Sequence, residues 1–388
     1  MSNTSIATIW SSQPYRALYT VGFVFFTIPH LLYLSLRYAI PPLRSVPHWS
    51  WRVSIGAAML RALFRYVAAT RNQQFLTKFH GKCEGRYALI QPPDAALFRG
   101  ALGAPAAAAK PAPVEAVWHP AALMIPGGTT TTTTTTAAAT DGSGPRRHRV
   151  IVYASGGALV LGSDPDVNAK VVLDIATENF GATHVLCMQY RPASDEHPFP
   201  AAVQDFFTTY QHVLDLGVAP GDIVFMGDSA GGNIVLAALR YLALHDFPQP
   251  AGAAVFSPWV DVTVDGVQKY SQSIAPRYDI LDAELLEWGV EAYRPKGKTL
   301  TTEEEGYVAP VNHPFRLATR LFIDSGSMDG FYESISIFAR QMADIEGNQV
   351  RFHTGEGLPH DYFLTYPVLG TKDEACAVLR EAREFISG

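Results

Sequence analysis

The sequence predicts an α/β fold: a mostly parallel β-sheet with helices on both faces. Two observations carry this. From Arg149 to the C-terminus, short apolar runs with strand composition alternate with helix-like segments. Within that alternation, Gly227–Asp228–Ser229–Ala230–Gly231 sits between the strand-like run Asp222–Met226 and an Ala/Leu-rich stretch from Ile234 to His245. Strand, tight turn and helix therefore frame a Gly-x-Ser-x-Gly motif. At 388 residues, the chain has room for one large domain with an appendage or for two domains, and 48% hydrophobic residues can fill a substantial core. A net charge of −6 without a basic block argues against a nucleic-acid partner. Cys83, Cys187 and Cys376 are widely spaced with no Cys-x-x-Cys, which argues against a disulfide scaffold or structural zinc.

Residues 1–48 read as a membrane anchor. Val21 to Ile40 is almost uniformly apolar, broken mainly by Pro29, His30 and Arg37, and about 20 such residues cross a bilayer as a helix. An uncleaved span over about 21–40 is expected. Pro29 offers the alternative of pieces lying on a membrane surface. A cleavable signal peptide is disfavoured by the late start and the lack of a small-x-small site. Arg37, Arg44 and Arg52 at or after the end of the span, against Arg16 before it, weakly favour a cytoplasmic C-terminal domain. The expected location is a membrane, that of the endoplasmic reticulum, in single-pass or associated form, with membrane lipid as a partner.

Residues 49–100 read as an amphipathic helical cap or linker. After a proline-rich joint (Pro41, Pro42, Pro47), Ile55, Met59, Leu60, Leu63, Phe64 and Val67 recur at helical spacing between Trp51 and Phe79. Such a helix packs on the main domain, or caps its site and touches lipid. Residues 101–148 hold an Ala/Pro-rich stretch, an expected edge strand at Val114–Trp118, and a low-complexity surface loop with the run Thr129–Thr136. The catalytic domain is expected over 149–388. Its strands read as Val150–Tyr153, His184–Tyr190, Ile223–Met226, Ala253–Phe256, Leu321–Asp324 and Val350–His353. Its helices read as Phe199–Leu216, the stretch after Ser229, Tyr332–Ile345 and Glu374–Ile386.

Ligands in such sheets bind at the carboxyl ends of strands, and the candidate side chains fall there. Ser229 is the expected nucleophile, and a serine hydroxyl needs a base to take its proton. His360, in the loop after the last strand, is the candidate base, with His353 as its rival. Asp329, past the strand Leu321–Asp324, is the candidate acid, with Asp324 and then Glu333 behind it. Asp361 neighbours His360 too closely for triad geometry. Tyr153–Leu159 follows the first core strand with small residues that let backbone amides approach a carbonyl. Gly156, Gly157 and Ala230 are the expected oxyanion-hole donors. A phosphate loop is disfavoured, because the Gly-x-Gly-x-x-Gly spacing and a Walker lysine are absent.

On these residues the chain resembles the hormone-sensitive-lipase-like branch of the α/β-hydrolases, the Gly-Asp-x-Gly lipolytic enzymes. Gly227–Asn233 matches that family's nucleophile motif. Tyr190–Arg191, Glu196–Ala202 and Asp205 are similar to its Tyr-Arg-Leu-Ala-Pro-Glu-His-Pro-Phe-Pro-Ala-Ala stretch, and Ser257–Asp261 to its next motif. The resemblance implies an α/β-hydrolase fold and a serine esterase acting through an acyl-enzyme, with no metal or cofactor. The anchored N-terminus resembles that of fungal steryl acetyl hydrolases and hydrolases of secondary metabolism. The expected substrate is a hydrophobic small-molecule ester of a sterol, terpenoid or polyketide. One departure is Ser155–Gly156–Gly157–Ala158 where the family has His-Gly-Gly-Gly. It keeps acyl transfer, cyclisation or C–C cleavage open as alternatives. A ligand-binding receptor is the reading from another class.

Overall fold

The computed structural model describes residues 9–73, 83, 85–103, 107–123 and 149–388. The threonine run lies outside the described residues. Two long helices come first, α1 (Tyr15–Tyr38) and α2 (Trp51–Thr70). α1 starts six residues before Val21 and runs unbroken through Pro29. Ser50 caps α2 by accepting from Val53 N–H, and helical packing ends at Arg71 in a left-handed conformation.

The sheet follows: β1 (Tyr87–Ile90), β2 (Val114–His119), β3 (Val150–Ala154), then α3 (Pro165–Asn179), β4 (His184–Gln189), α4 (Ala201–Asp215) and β5 (Ile223–Asp228). α5 (Ser229–Leu244) leads to β6 (Gly252–Phe256). Three helices intervene before the next strand, α6 (Val264–Gln272), α7 (Ala283–Tyr293) and α8 (Thr302–Val308). β7 (Arg320–Gly326), α9 (Tyr332–Ala343), β8 (Val350–Gly355), α10 (Tyr366–Leu369) and α11 (Lys372–Ser387) complete the fold.

Strand order is β1-β2-β4-β3-β5-β6-β7-β8. β1–β2 and β2–β4 pair antiparallel, and every pairing from β4 to β8 is parallel. Val150–Ala154 and Ile223–Asp228 are buried at every position, as expected of parallel strands covered on both faces. α3 packs on α11 and on β2 and β4, while α4 packs on α5 beneath β3 and β5. The strand at Val114 is therefore interior. Residues 87–90 of the expected cap region supply the edge, because four residues with alternating exposure leave little trace in composition.

The sequence reading has no helix between Pro258 and Leu321, yet α6, α7 and α8 lie there. Each is short and held by its own cap: Thr263 on Gly266 N–H, Asp282 on Glu284 N–H, and a Thr301/Glu304 capping box. α2 packs against α7 and α10 on one side and α1 on the other. It packs on the main domain, and Phe64 lines the cavity of the site.

Candidate active site

The turn between β5 and α5 is shaped by what surrounds it. A Cβ on Gly231 would lie 2.0 Å from the Ala154 carbonyl oxygen, and one on Gly227 would lie 2.7 Å from that of Gly231. Only glycines let the two segments cross so closely. Ser229 is held at φ +48°, a conformation non-glycine residues avoid. Its Oγ is thereby presented at the end of β5, and its carbonyl accepts from Trp259 N–H at 2.9 Å.

Asp329 and His360 meet Ser229 in a single chain of contacts. His360 Nε2 lies 2.9 Å from Ser229 Oγ, and His360 Nδ1 lies 3.0 Å from Asp329 Oδ1. Asp329 Oδ1 also accepts from Phe331 N–H at 2.8 Å, and its Oδ2 from Ser325 Oγ. All three triad side chains are buried. Burial works against the charged imidazole, but the carboxylates of Asp329, Asp279 and Asp228 outweigh it and hold His360 above its ordinary value.

The rival residues occupy other places. Asp324 accepts from His353 Nδ1 at 2.7 Å and from Tyr362 O–H at 2.9 Å. The two pair across β7 and β8, and neither lines the cavity at Ser229. Glu333 lies in a separate pocket beside α6.

The oxyanion loop corrects one expectation. Gly156 N–H donates to Asp228 Oδ2 at 2.8 Å, so it does not face a substrate carbonyl. Gly157, Ala158 and Ala230 keep amides with no acceptor among the described residues. Ala158 stands where the related motif has glycine, and its φ of +50° shows that the backbone keeps a left-handed turn at a cost of roughly 1–2 kcal/mol. Ser155 Oγ donates to Ser163 Oγ at 2.7 Å, and Tyr190 O–H donates to the Gly156 carbonyl at 3.3 Å. These bonds brace the loop in the absence of a histidine.

Two further acidic groups surround the triad. Asp279 is fully buried between the acid and base loops. It accepts from His360 N–H at 3.0 Å and Gly330 N–H at 2.8 Å. Burial first, and then the charge of Asp329, push it up to about 6. Nothing in its sequence context marks it, because its partners are backbone amides from distant loops.

Asp361 lies beside Asp228, which accepts from Tyr153 O–H. Burial, reinforced by the charge of Asp228, drives Asp361 well above the ordinary carboxylate range. Asp361 sits at φ +50° and does not contact the imidazole face used by the triad.

Ser229 opens into a cavity of about 580 Å³. Phe64 of α2, Leu161, Val167, Ile280, Leu285 and Leu364 give it apolar walls. Phe331 meets the His360 ring edge-on at 5.1 Å. Among the described residues no cluster of three or more His, Cys, Asp or Glu is arranged to hold a metal.

The chain matches the family model described as alpha/beta hydrolase fold over residues 151–364. It is 30% identical over 221 residues to an acetyl-hydrolase of Streptomyces hygroscopicus, covering 57% of this chain and 70% of that one. It is 31% identical over 147 residues to an esterase of Acinetobacter venetianus, covering 37% and 46%. Among solved structures, an esterase/lipase from an uncultured bacterium superposes with a TM-score of 0.55 at 25% identity, covering 71% of this chain and 82% of that one. An esterase from the bacterial hormone-sensitive lipase family superposes with a TM-score of 0.58 over 87% of this chain and 99% of that one, at 20% identity. A serine held at a glycine-bounded turn, a family match over more than half of the chain and these relatives lead to one conclusion: the chain belongs to the α/β-hydrolase-fold family, in which its relatives are an acetyl-hydrolase and an esterase.

Proposed function

We propose that the protein cleaves a short-chain carboxylic ester of a hydrophobic alcohol through an acyl-enzyme on Ser229. The observation that carries this is the unbroken contact Ser229 Oγ–His360 Nε2 and His360 Nδ1–Asp329 at the floor of an apolar cavity. Ser229 Oγ attacks the ester carbonyl carbon while His360 Nε2 takes its proton. Asp329 holds the imidazole by Nδ1–H and stabilises its positive charge. The tetrahedral oxyanion faces the amides of Gly157, Ala158 and Ala230, each such donor contributing about 10²–10³ in rate. His360 then protonates the departing alkoxide, the alcohol leaves, and Ser229 carries the acyl group. A water attacks that ester, giving its proton to His360, and the released acid restores Ser229.

The likeness to the Streptomyces acetyl-hydrolase favours a short acyl group. The apolar walls favour a hydrophobic alcohol. The test is an ester series from acetyl to palmitoyl on a common alcohol. Acetyl and butyryl esters should turn over fastest, and Ser229→Ala should lower kcat by about 10⁶-fold. A fluorophosphonate probe should label Ser229, and should not label it in His360→Ala. Absence of Ser229-dependent turnover on every ester would refute the proposal.

A further inference from the structure

α1 is long and apolar enough to cross a bilayer: its 24 residues span about 36 Å at 1.5 Å per residue. Its surroundings point to another use. It lies antiparallel along α2 over most of its length. Trp51 Nε1–H donates to the Ser35 carbonyl at one end, and Thr20 Oγ1 meets Tyr66 O–H at 2.9 Å near the other. Phe23 packs on Tyr66 at 4.9 Å, and Leu34 and Tyr38 close over Ile55 and Ala58.

α2 in turn is fastened to the catalytic body along its whole length. Trp49, just before it, donates to the Gly357 carbonyl. Arg52 donates to the Pro367 carbonyl at 2.7 Å, Arg61 to the Asp279 carbonyl, and Arg65 pairs with Asp282 at 3.3 Å. If α1 stood upright across a bilayer, α2 and its neighbour α7 would lie at the same depth. Arg65 and the exposed Glu284, Glu287 and Glu291 would then enter hydrocarbon, where ionised side chains are strongly disfavoured.

The face of α1 turned away from α2 is a continuous apolar stripe. Leu18, Val21, Phe25, Ile28, Leu32 and Leu36 follow three- and four-residue spacing and are 53–76% exposed. No acidic residue occurs on α1, and Arg16 and Arg37 stand at its two ends. Apolar stripe and cationic ends complement acyl chains beneath anionic headgroups.

We propose that α1 lies in the plane of a membrane surface, with its outer stripe among the acyl chains of an anionic phospholipid leaflet and the catalytic body on the aqueous side. Both ends of α1 then face the same compartment as the active site. Phe64 of α2, one helix removed from the lipid, forms part of the cavity wall. A hydrophobic ester dissolved in the leaflet thus reaches Ser229 without crossing open water.

The test uses the full chain and needs no ester turnover, so it stands or falls independently of the esterase assignment. Single cysteines are introduced at Ser12, ahead of α1, and at Gln272, at the end of α6. Labelling of each by a membrane-impermeant maleimide on sealed vesicles is measured as the increment over the parent chain. An in-plane helix gives equal labelling of S12C and Q272C before detergent. Protection of S12C until detergent is added would mean that α1 crosses, and would overturn the proposal. In flotation with vesicles of phosphatidylcholine alone or mixed with phosphatidylserine, the parent chain should bind the mixed vesicles more tightly. The exposed substitutions Leu18→Ser, Phe25→Ser and Leu32→Ser together should abolish binding while leaving the thermal transition in place. Failure of the parent chain to float with either vesicle, or dissociation of a protein dimer by these substitutions without loss of a lipid-bound form, would also overturn it.

Discussion

His360 is held charged more readily than a free imidazole because three carboxylates surround it, and this has a kinetic consequence. The base must be neutral to take the Ser229 proton, so kcat/KM should fall as pH drops through a value above that of ordinary histidine. Asp279 contributes one of those charges. Asp279→Asn should move the acid limb to lower pH, measured as the midpoint of the kcat/KM profile. It should also cost about 1–3 kcal/mol of stability, because one amide now taken by its carboxylate is left facing an N–H₂ group.

Asp361 gives the opposite kind of prediction. Its folded value lies above the unfolded one, so the folded state holds a proton that the unfolded chain releases above the ordinary carboxylate range. Stability from this group is greatest at low pH and is lost as pH rises toward the folded value. Asp361→Asn keeps a donor toward Asp228, tolerates the left-handed backbone and never ionises. Its Tm should exceed that of the parent at pH 8, with the two converging toward acid pH.

Among the elements, the strand-to-helix corner at Tyr190–Asp205 holds the oxyanion loop from behind. Arg191 grips the buried carboxylate of Asp205 at 2.7 Å and also donates to the Ala201 carbonyl at 3.1 Å. Arg191→Ala would leave the buried Asp205 without its guanidinium partner, held only by the amide N–H of residue 191. Removing one partner of a buried pair costs about 3–5 kcal/mol, to be read from the urea midpoint. These residues were legible in the sequence as part of a motif, but their job was not. Tyr190 reaches the Gly156 carbonyl and Arg191 fixes α4, contacts that join positions more than ten residues apart. By contrast, α6, α7 and α8 left no readable pattern. Helices of 7 to 11 residues present too few turns for an apolar period, and their stability comes from caps and from the body they cover.

At the scale of the molecule, the N-terminal helices divide into one that builds the site and one that covers it. α2 supplies Phe64 to the cavity and Arg61 to the loop carrying Asp279, whereas α1 contacts chiefly α2. A chain beginning at Ser45 should therefore keep most of its turnover of a soluble ester. A chain beginning at Asn72 should lose about 10²-fold through displacement of the base and acid loops. Comparing kcat for the two truncations on a soluble acetyl ester checks this.

What the sequence by itself determined were the features with local or strongly patterned causes. The glycine-bounded serine turn, the buried strands, the acid-then-histidine order and the apolar N-terminal helix all follow from residues close in the chain. Only the tertiary structure decided which amides remain free, since Gly156 is claimed by a carboxylate 72 positions away. It alone showed Asp279 between the triad loops, β1 at the sheet edge, and α1 fastened along α2 rather than standing free. The physical reason is common to these cases. Each depends on one buried polar group or helix face finding a particular partner, and such a choice is made by packing across the chain rather than by the composition of any one segment.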